Sequence, residues 1–338
     1  MIILIGHEHE FNLLNLVRTA RKLNVECSLF QIKPSGQDWD VSIPMTGDIA
    51  LTHKKTGYKL NGSDVNGIWC RTSSFPAKYA PTLSSVSEYS RTYVSSEWRV
   101  AMSAVFASID AKWANKPQVI SIAGNRILQM RLAPQFGLKV PAWVVASSNK
   151  EIDEFARSLP IKEFIVKALN EGAPNDCGDV NPNTIKISDP VVQLAPDAGK
   201  IPVLLQMAIS ARVIIRSYVI GNKVYSAEGV VDLSDPVFLD SRLDLSDKKK
   251  YPYAVHVLPT DIETALVALA RKLDLTYGAA DFLLDENGDY WFLEINPSGQ
   301  WAWIEKQTGL PISAEIIKFL SSTASSTGTR TCQEMPIL

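Results

Sequence analysis

The sequence predicts a mixed fold, an α/β unit followed by α+β structure, divided into two or three domains. Three observations carry that expectation. A chain of 338 residues that is 46% hydrophobic is long enough to build more than one core. Its opening spells β-α-β: an apolar run at 2–5, then Leu13, Leu14, Leu16, Val17, Ala20 and Leu23 at helical spacing, then a next strand at 25–30. Much later, residues 278–305 alternate apolar and polar positions on either side of Asp285-Glu286-Asn287-Gly288-Asp289, and Asn-Gly between such runs signals a hairpin.

Composition narrows the function classes. A formal net charge of −2 gives no electrostatic case for nucleic acid or an anionic membrane. No apolar run approaches the roughly 18 residues of a spanning helix, and the start lacks the basic and apolar regions of a signal peptide. The expectation is a cytoplasmic protein. Cys27, Cys70, Cys177 and Cys332 lie far apart without a CxxC, which argues against a disulfide framework or a zinc site.

In chain order, Gly6 is the lone glycine at the first turn, so the three-glycine dinucleotide fingerprint is absent. His7 and His9 flank that turn and read as solvated loop residues. Residues 33–66 suggest short hairpin strands, and Ile68-Trp69-Cys70-Arg71 a strand with Arg71 at its end. A helical pattern covers 83–109, with Tyr89 and Trp98 on its apolar side as core or as a dimer face. Trp113-Ala114-Asn115-Lys116-Pro117 closes the first domain. A helix begins at Asn125-Arg126 and is stopped by Gly137 to Pro141. Residues 164–169 form an apolar strand holding one lysine, Lys167, which is costly there unless it is paired or serves an anion. The loop at 171–183 suits a lid or a peptide dock. Residues 202–206 and 213–221 read as strands, the second with Arg216 in its interior. Thr260 fits the N-cap of an amphipathic helix, with Glu263 three residues on. A last helix spans 313–320, and 321–338 reads as a disordered tail.

The hairpin carries the chemistry. With a two-residue turn at Asn287-Gly288, Glu286 faces Asp289 and Asp281 falls directly opposite Glu294. Opposed residues share a face at roughly 4.5–5.5 Å between Cβ atoms, where like charges repel. Asn296 joins that face by alternation, while Trp291, Leu293 and Ile295 take the other and are expected in the core. Two carboxylates and an amide oxygen on one patch suit a hard cation such as Mg²⁺. A solvated hairpin face is the alternative.

Asp281 followed by Phe-Leu-Glu-Ile-Asn-Pro, ending at Pro297, resembles the metal-binding hairpin of ATP-grasp enzymes. The continuation SGQWAWIE, then TGLPIS through Ser313, is similar to one branch, the graspetide synthetases or microviridin-type omega-ester peptide ligases. The resemblance implies an ATP-grasp fold: an N-terminal α/β domain (1–115), a central subdomain (116–200), a C-terminal subdomain (201–320) and the tail. It implies ATP and Mg²⁺ as cofactors, with Asp281, Glu294 and Asn296 as metal ligands. Arg126, where the family usually has lysine, and Lys167 would contact phosphate. Gln206, Met207 and Ala208 would lead into and line the adenine slot. Arg216 and Arg242 would orient the acidic side chain of the substrate, since a guanidinium fork matches a carboxylate. The substrate implied is a ribosomal precursor peptide, leader plus acidic core, cross-linked by ester or amide bonds, and the enzyme a homodimer. Ile214 stands where the family has an acid, Thr72 where a second arginine is frequent, and Ser241 where tryptophan is usual. Two other readings share these residues: a carboxylate–amine ligase joining separate molecules, and a non-catalytic precursor-binding protein.

Overall fold

The computed structural model describes residues 1–6, 9–31, 38–72, 87–167, 169, 184–188, 202–230 and 252–322. His7, the loop at 171–183, Arg242 and the tail beyond residue 322 lie outside them. The β-α-β opening is present as β1 (Ile2–Gly6), α1 (Phe11–Lys22) and β2 (Cys27–Gln31). A small hairpin sheet follows, β3 (Trp39–Ser42), β4 (Ala50–His53) and β5 (Lys59–Asn61), in the stretch expected to hold short strands. β6 (Gly67–Cys70) and β7 (Lys112–Trp113), separated by α2 (Glu88–Ser108), complete a parallel sheet of order β2-β1-β6-β7.

Two short helices, α3 (Pro117–Ala123) and α4 (Arg126–Leu132), come next. Asn125 caps α4, its side chain accepting from the Leu128 N–H at 3.1 Å, and Gly137 at φ +90° ends the turn that follows. The central sheet has the order β10-β9-β11-β8 and is antiparallel throughout. Its strands are β8 (Trp143–Ala146), β9 (Phe164–Lys167), β10 (Thr184–Ile187) and β11 (Val203–Met207), with α5 (Asn149–Ser158) packed on one face. β11 therefore belongs to the central sheet, although the expected subdomain boundary falls at 200.

The third sheet has the order β14-β13-β12-β15-β16, again antiparallel: β12 (Ala211–Ile220), β13 (Lys223–Val230), β14 (Tyr253–His256), β15 (Tyr277–Asp285) and β16 (Tyr290–Asn296). One face packs Ile215, Phe282, Phe292 and Ile295 against α6 (Thr260–Lys272), α3 and α4. Thr260 is the first helical residue and not the cap: Pro259 stands at that position with extended backbone. Part of the other face, with Tyr218 and Tyr277, shares a core with Ile2, Leu4 and Leu16 of the N-terminal unit. Trp69, Tyr277 and Trp301 meet edge to face with centroids 4.9 to 5.7 Å apart.

The tail of the hairpin motif forms the seam between these units. Asn12 accepts from the backbone N–H groups of Trp301 and Ala302 at 3.1 and 3.0 Å, where α7 (Ala302–Thr308) begins. The Trp301 indole donates to Ser313 Oγ at 2.8 Å, in the first turn of α8 (Ile312–Ser321). Glu305 receives Asn15 Nδ2 at 2.5 Å and the Ser313 N–H at 2.9 Å. The residues that make SGQWAWIE…TGLPIS recognisable are thus those that tie α1 to the C-terminal sheet.

The hairpin reaches the expected opposition by a different path. Asp285 N–H bonds to Asp289 O, and Gly288, at φ +83°, closes a three-residue loop in place of the two-residue turn. Pairing near the turn is therefore one residue off, with Leu284 opposite Tyr290. A bulge at Leu293 then restores it, because Phe282 pairs with Phe292 while Asp281 pairs with Glu294. The two shifts cancel for the acids but not for the core. Phe292 and Ile295 are fully buried, whereas Trp291 and Leu293, expected inside, are half-buried.

Two outcomes follow from these contacts. Trp301→Ala removes a fully buried side chain from the seam and should cost about 3–5 kcal/mol of stability in chemical denaturation. Trp291 instead serves the loop: its indole donates to Asp285 Oδ2 at 2.9 Å and is the main cause holding the Asp285 carboxyl below its ordinary value. A depressed carboxyl stabilises above the unfolded pKa, about 3.9, and loses that contribution as pH falls through the folded value. The stability gap between wild type and Trp291→Phe should therefore narrow as pH drops below about 4.

Candidate active site

Four charged side chains form one row across the third sheet. Arg216 on β12 stands opposite Asp281 on β15, and Asp281 stands opposite Glu294 on β16. Arg126, first residue of α4, closes the row: its Nε donates to Glu294 Oε2 at 2.7 Å and a terminal nitrogen reaches the same oxygen at 2.5 Å. Arg216 Nη1 lies 3.0 and 3.2 Å from the two Asp281 oxygens. The order is plus, minus, minus, plus, so the repulsion between the central carboxylates is offset from both sides. Burial works against the charge of Arg216, and Asp281 overrides it, raising the guanidinium pKa above its ordinary value.

The face is built for this row. Core residues Ile215, Phe282 and Ile295 point to the helices, so their neighbours Arg216, Asp281, Glu294 and Asn296 point the other way. β16 is an edge strand, and outward backbone groups at Phe292 and Ile295 are bonded from outside the sheet. Gln129 of α4, 2% exposed, donates to Ile295 O at 2.8 Å and accepts from Ile295 N at 2.8 Å. That clamp sets α4 alongside β16 and delivers Arg126 to Glu294. Ile214 lies two pairs beyond Arg216 on the same face, opposite Leu283, so an apolar wall stands where the family has its acid.

Beyond Asn296, four consecutive carbonyls are each held by a donor. Pro297 O accepts from Asn115 Nδ2 at 2.9 Å, and Ser298 O from Arg71 Nε and Nη2 at 2.9 and 2.6 Å. Gly299 O accepts from the Tyr277 hydroxyl at 2.7 Å, and Gln300 O from the Tyr218 hydroxyl at 2.9 Å. A Cβ added at Gly299 would stand 2.3 Å from that of Ala279, so the turn presses against the sheet with no room for a side chain. None of these clamps was readable from spacing, because each joins positions far apart in the chain.

On the central sheet, alternation puts Lys167 and Gln206 on one face and Met207 on the other. Gln206 is buried with its amide nitrogen 3.4 Å from Met130 Sδ of α4. The N–H groups of Met207 and Ala208 donate to Ala142 O and Glu163 O at 2.8 and 3.1 Å, so in this arrangement neither serves as a donor to a docked base. Among the described residues no cluster of three or more His, Cys, Asp or Glu gathers, and no helix is long and apolar enough to cross a membrane. The candidate cation site is therefore the pair Asp281 and Glu294 with the amide oxygen of Asn296, a hard-oxygen set that suits Mg²⁺.

This arrangement, a parallel N-terminal sheet followed by antiparallel sheets of four and five strands with paired acids on the last hairpin, is the ATP-grasp fold. The chain matches the Chryseobacterium gregarium RiPP-associated ATP-grasp ligase, solved in complex with ADP and a leader and core peptide, at a TM-score of 0.81. The identity is 21%, over 96% of this chain and 97% of that one. The macrocyclase MdnC from Microcystis aeruginosa MRC, bound with precursor peptide MdnA, matches at 0.78 and 20% identity, over 96% and 100% of the two chains. The ATP-grasp ligase PsnB, complexed with a phosphomimetic variant of a minimal precursor, Mg and ADP, matches at 0.72 and 17%, over 94% and 97%. By sequence, a probable alpha-L-glutamate ligase of Pseudoalteromonas translucida (strain TAC 125) is 26% identical over 219 residues, 64% of this chain and 69% of that protein. No protein-family model matches the chain.

The charge row yields its own outcome. Arg216→Met strands Asp281 beside Glu294 and should cost about 3–5 kcal/mol in denaturation. Adding Asp281→Asn to that variant should restore part of the loss, which a double-mutant cycle will measure.

Proposed function

We propose that the chain is an ATP- and Mg²⁺-dependent ligase that cross-links a ribosomal precursor peptide, leader plus acidic core. The observation that carries this is the oxygen set Asp281, Glu294 and Asn296 on one sheet face beside Arg126, in a fold shared over nearly the whole chain with peptide-bound ligases. An Asp or Glu side-chain carboxylate of the peptide attacks the γ-phosphoryl of ATP, giving an acyl phosphate and ADP. A Ser or Thr hydroxyl, or a Lys amine, of the same peptide then displaces phosphate, and the net change in the peptide is loss of water. Mg²⁺ held by Asp281, Glu294 and Asn296 would offset charge on the transferring phosphoryl group.

The chain's own residues do the positioning. Arg126 keeps Glu294 aimed and supplies a cation beside the phosphates, as Lys167 does from the central sheet. Arg216 fixes Asp281 and presents positive charge where an acidic side chain would approach. Arg242, outside the described residues, has the same proposed role toward substrate. Gln206, Met207 and Ala208 frame the adenine slot, with contact through carbonyls and side chains rather than the committed N–H groups. A cytoplasmic homodimer belongs to the same proposal: Tyr93 and Val100, seven apart on α2, are 58% and 65% exposed and offer an apolar face. The likeness to a probable glutamate ligase supports a second reading, in which the same acyl phosphate is attacked by the amine of a separate molecule.

The test is incubation of the protein with ATP, Mg²⁺ and the peptide encoded beside its gene, read by mass spectrometry and ADP release. Loss of one water per cross-link supports peptide cyclisation, and a mass gain from an added amino acid supports the second reading. Glu294→Gln should lower ADP release by about 100-fold or more, read at a temperature where the variant is folded because Arg126 also loses its carboxylate partner. Wild-type turnover in that variant would overturn the metal site. Peptide binding with no ADP release at saturating ATP would mean a non-catalytic binding protein.

A further inference from the structure

We infer that Arg71, at the end of β6, is a positioning residue that sets Asn296 for metal binding through Ser298. The inference rests on the cation site proposed above. Arg71 belongs to the N-terminal unit, 227 positions from Ser298, and grips it three times. Its Nε and Nη2 converge on Ser298 O at 2.9 and 2.6 Å, and its own carbonyl accepts from Ser298 Oγ at 2.8 Å. Ser298 in turn donates its N–H to Asn296 Oδ1 at 2.8 Å, within a turn closed by the Gly299 N–H bonding to Asn296 O at 3.2 Å. The rotamer of Asn296, and with it the direction of the amide oxygen, is fixed by the residue that Arg71 holds.

Arg71 is itself anchored. Glu10, at the N-cap of α1, pairs with its Nη1, so the chain of contacts runs Glu10, Arg71, Ser298, Asn296. Burial depresses the Arg71 pKa below its ordinary value, and the nearby positive charge of Arg216 adds to that effect. A further half-buried cation near the candidate cation-binding patch, beside Arg216 and Arg126, opposes metal binding by charge alone. Its geometry works the other way, since outer partners that orient metal ligands are worth 10–100-fold in affinity. The two effects differ in sign, which makes the inference testable.

The experiment is a Mn²⁺ titration of the full chain with ADP present, following free Mn²⁺ by electron paramagnetic resonance. Arg71→Ala should raise the Mn²⁺ dissociation constant roughly 10-fold. Arg71→Lys should fail to rescue it, because one ammonium cannot reproduce the forked donation to Ser298 with the bond to Glu10. In an Asn296→Ala background the Arg71→Ala change should have no further effect. Glu10→Gln, which leaves the hairpin untouched, should weaken Mn²⁺ binding in the wild-type background and not in the Asn296→Ala background. That arm serves if Arg71→Ala does not fold. Unchanged or tighter Mn²⁺ binding in Arg71→Ala, or equal loss in both backgrounds, would overturn the inference alone. If wild type with ADP binds no Mn²⁺, or Glu294→Gln and Asn296→Ala leave binding untouched, the cation site itself fails and takes this inference with it.

Discussion

Two carboxylates facing each other across one strand pair are the constraint around which the third sheet is arranged. Asp281 and Glu294 repel, and a fold that holds them there has to supply compensating charge. The chain supplies it from both sides, Arg216 from the neighbouring strand and Arg126 from a helix end. Each arginine then needs its own support. Arg216 lies in the middle of a ten-residue strand, and Arg126 is carried by a helix that Gln129 clamps to the sheet edge. The opposition is unfavourable on its own, and the two flanking guanidinium groups are what make it sustainable within the sheet.

The same site depends on a turn built almost wholly from backbone carbonyls. Asn115, Arg71, Tyr277 and Tyr218 each take one carbonyl from four successive residues, which freezes the path of the chain after Asn296. Fixing a backbone residue costs about 1–2 kcal/mol of entropy, so a turn this ordered is sustained only by such a density of donors. Burial pushes the Tyr218 and Tyr277 phenols well above their ordinary pKa values, and both stay neutral donors over the physiological range. The backbone just after Asn296 is thus held at four successive carbonyls.

How much of this was legible in the sequence depended on the range of each interaction. Alternation and the Asn-Gly signal are local, and they brought Asp281 opposite Glu294. They did so through two compensating shifts that no spacing rule contains, which is why Phe292 took the core place expected for Trp291 and Leu293. Thr260 had the right residue type for a cap, yet the chain enters α6 from Pro259. The partners of Arg126, Arg216 and Arg71 were beyond reach, because 168, 65 and 227 positions separate the bonded residues and only the fold closes those distances. The tryptophans and Ser313 of the motif tail gave the resemblance its specificity, and their work is to join α1 to the sheet.

The shared aromatic core has a consequence for how this protein can be recombined. Trp69 comes from the first parallel sheet, Tyr277 from the hairpin strand and Trp301 from the motif tail, and all three are buried in one cluster with Ile2 and Leu16. The N-terminal unit is therefore no detachable cassette. A chimera spliced near residue 115 would have to carry the donor's matching partners for Trp301, Asn12 and Arg71, or leave a large aromatic surface in water. Recombination between proteins of this fold is better sought in grafts that keep the first sheet and the final two helices from the same parent.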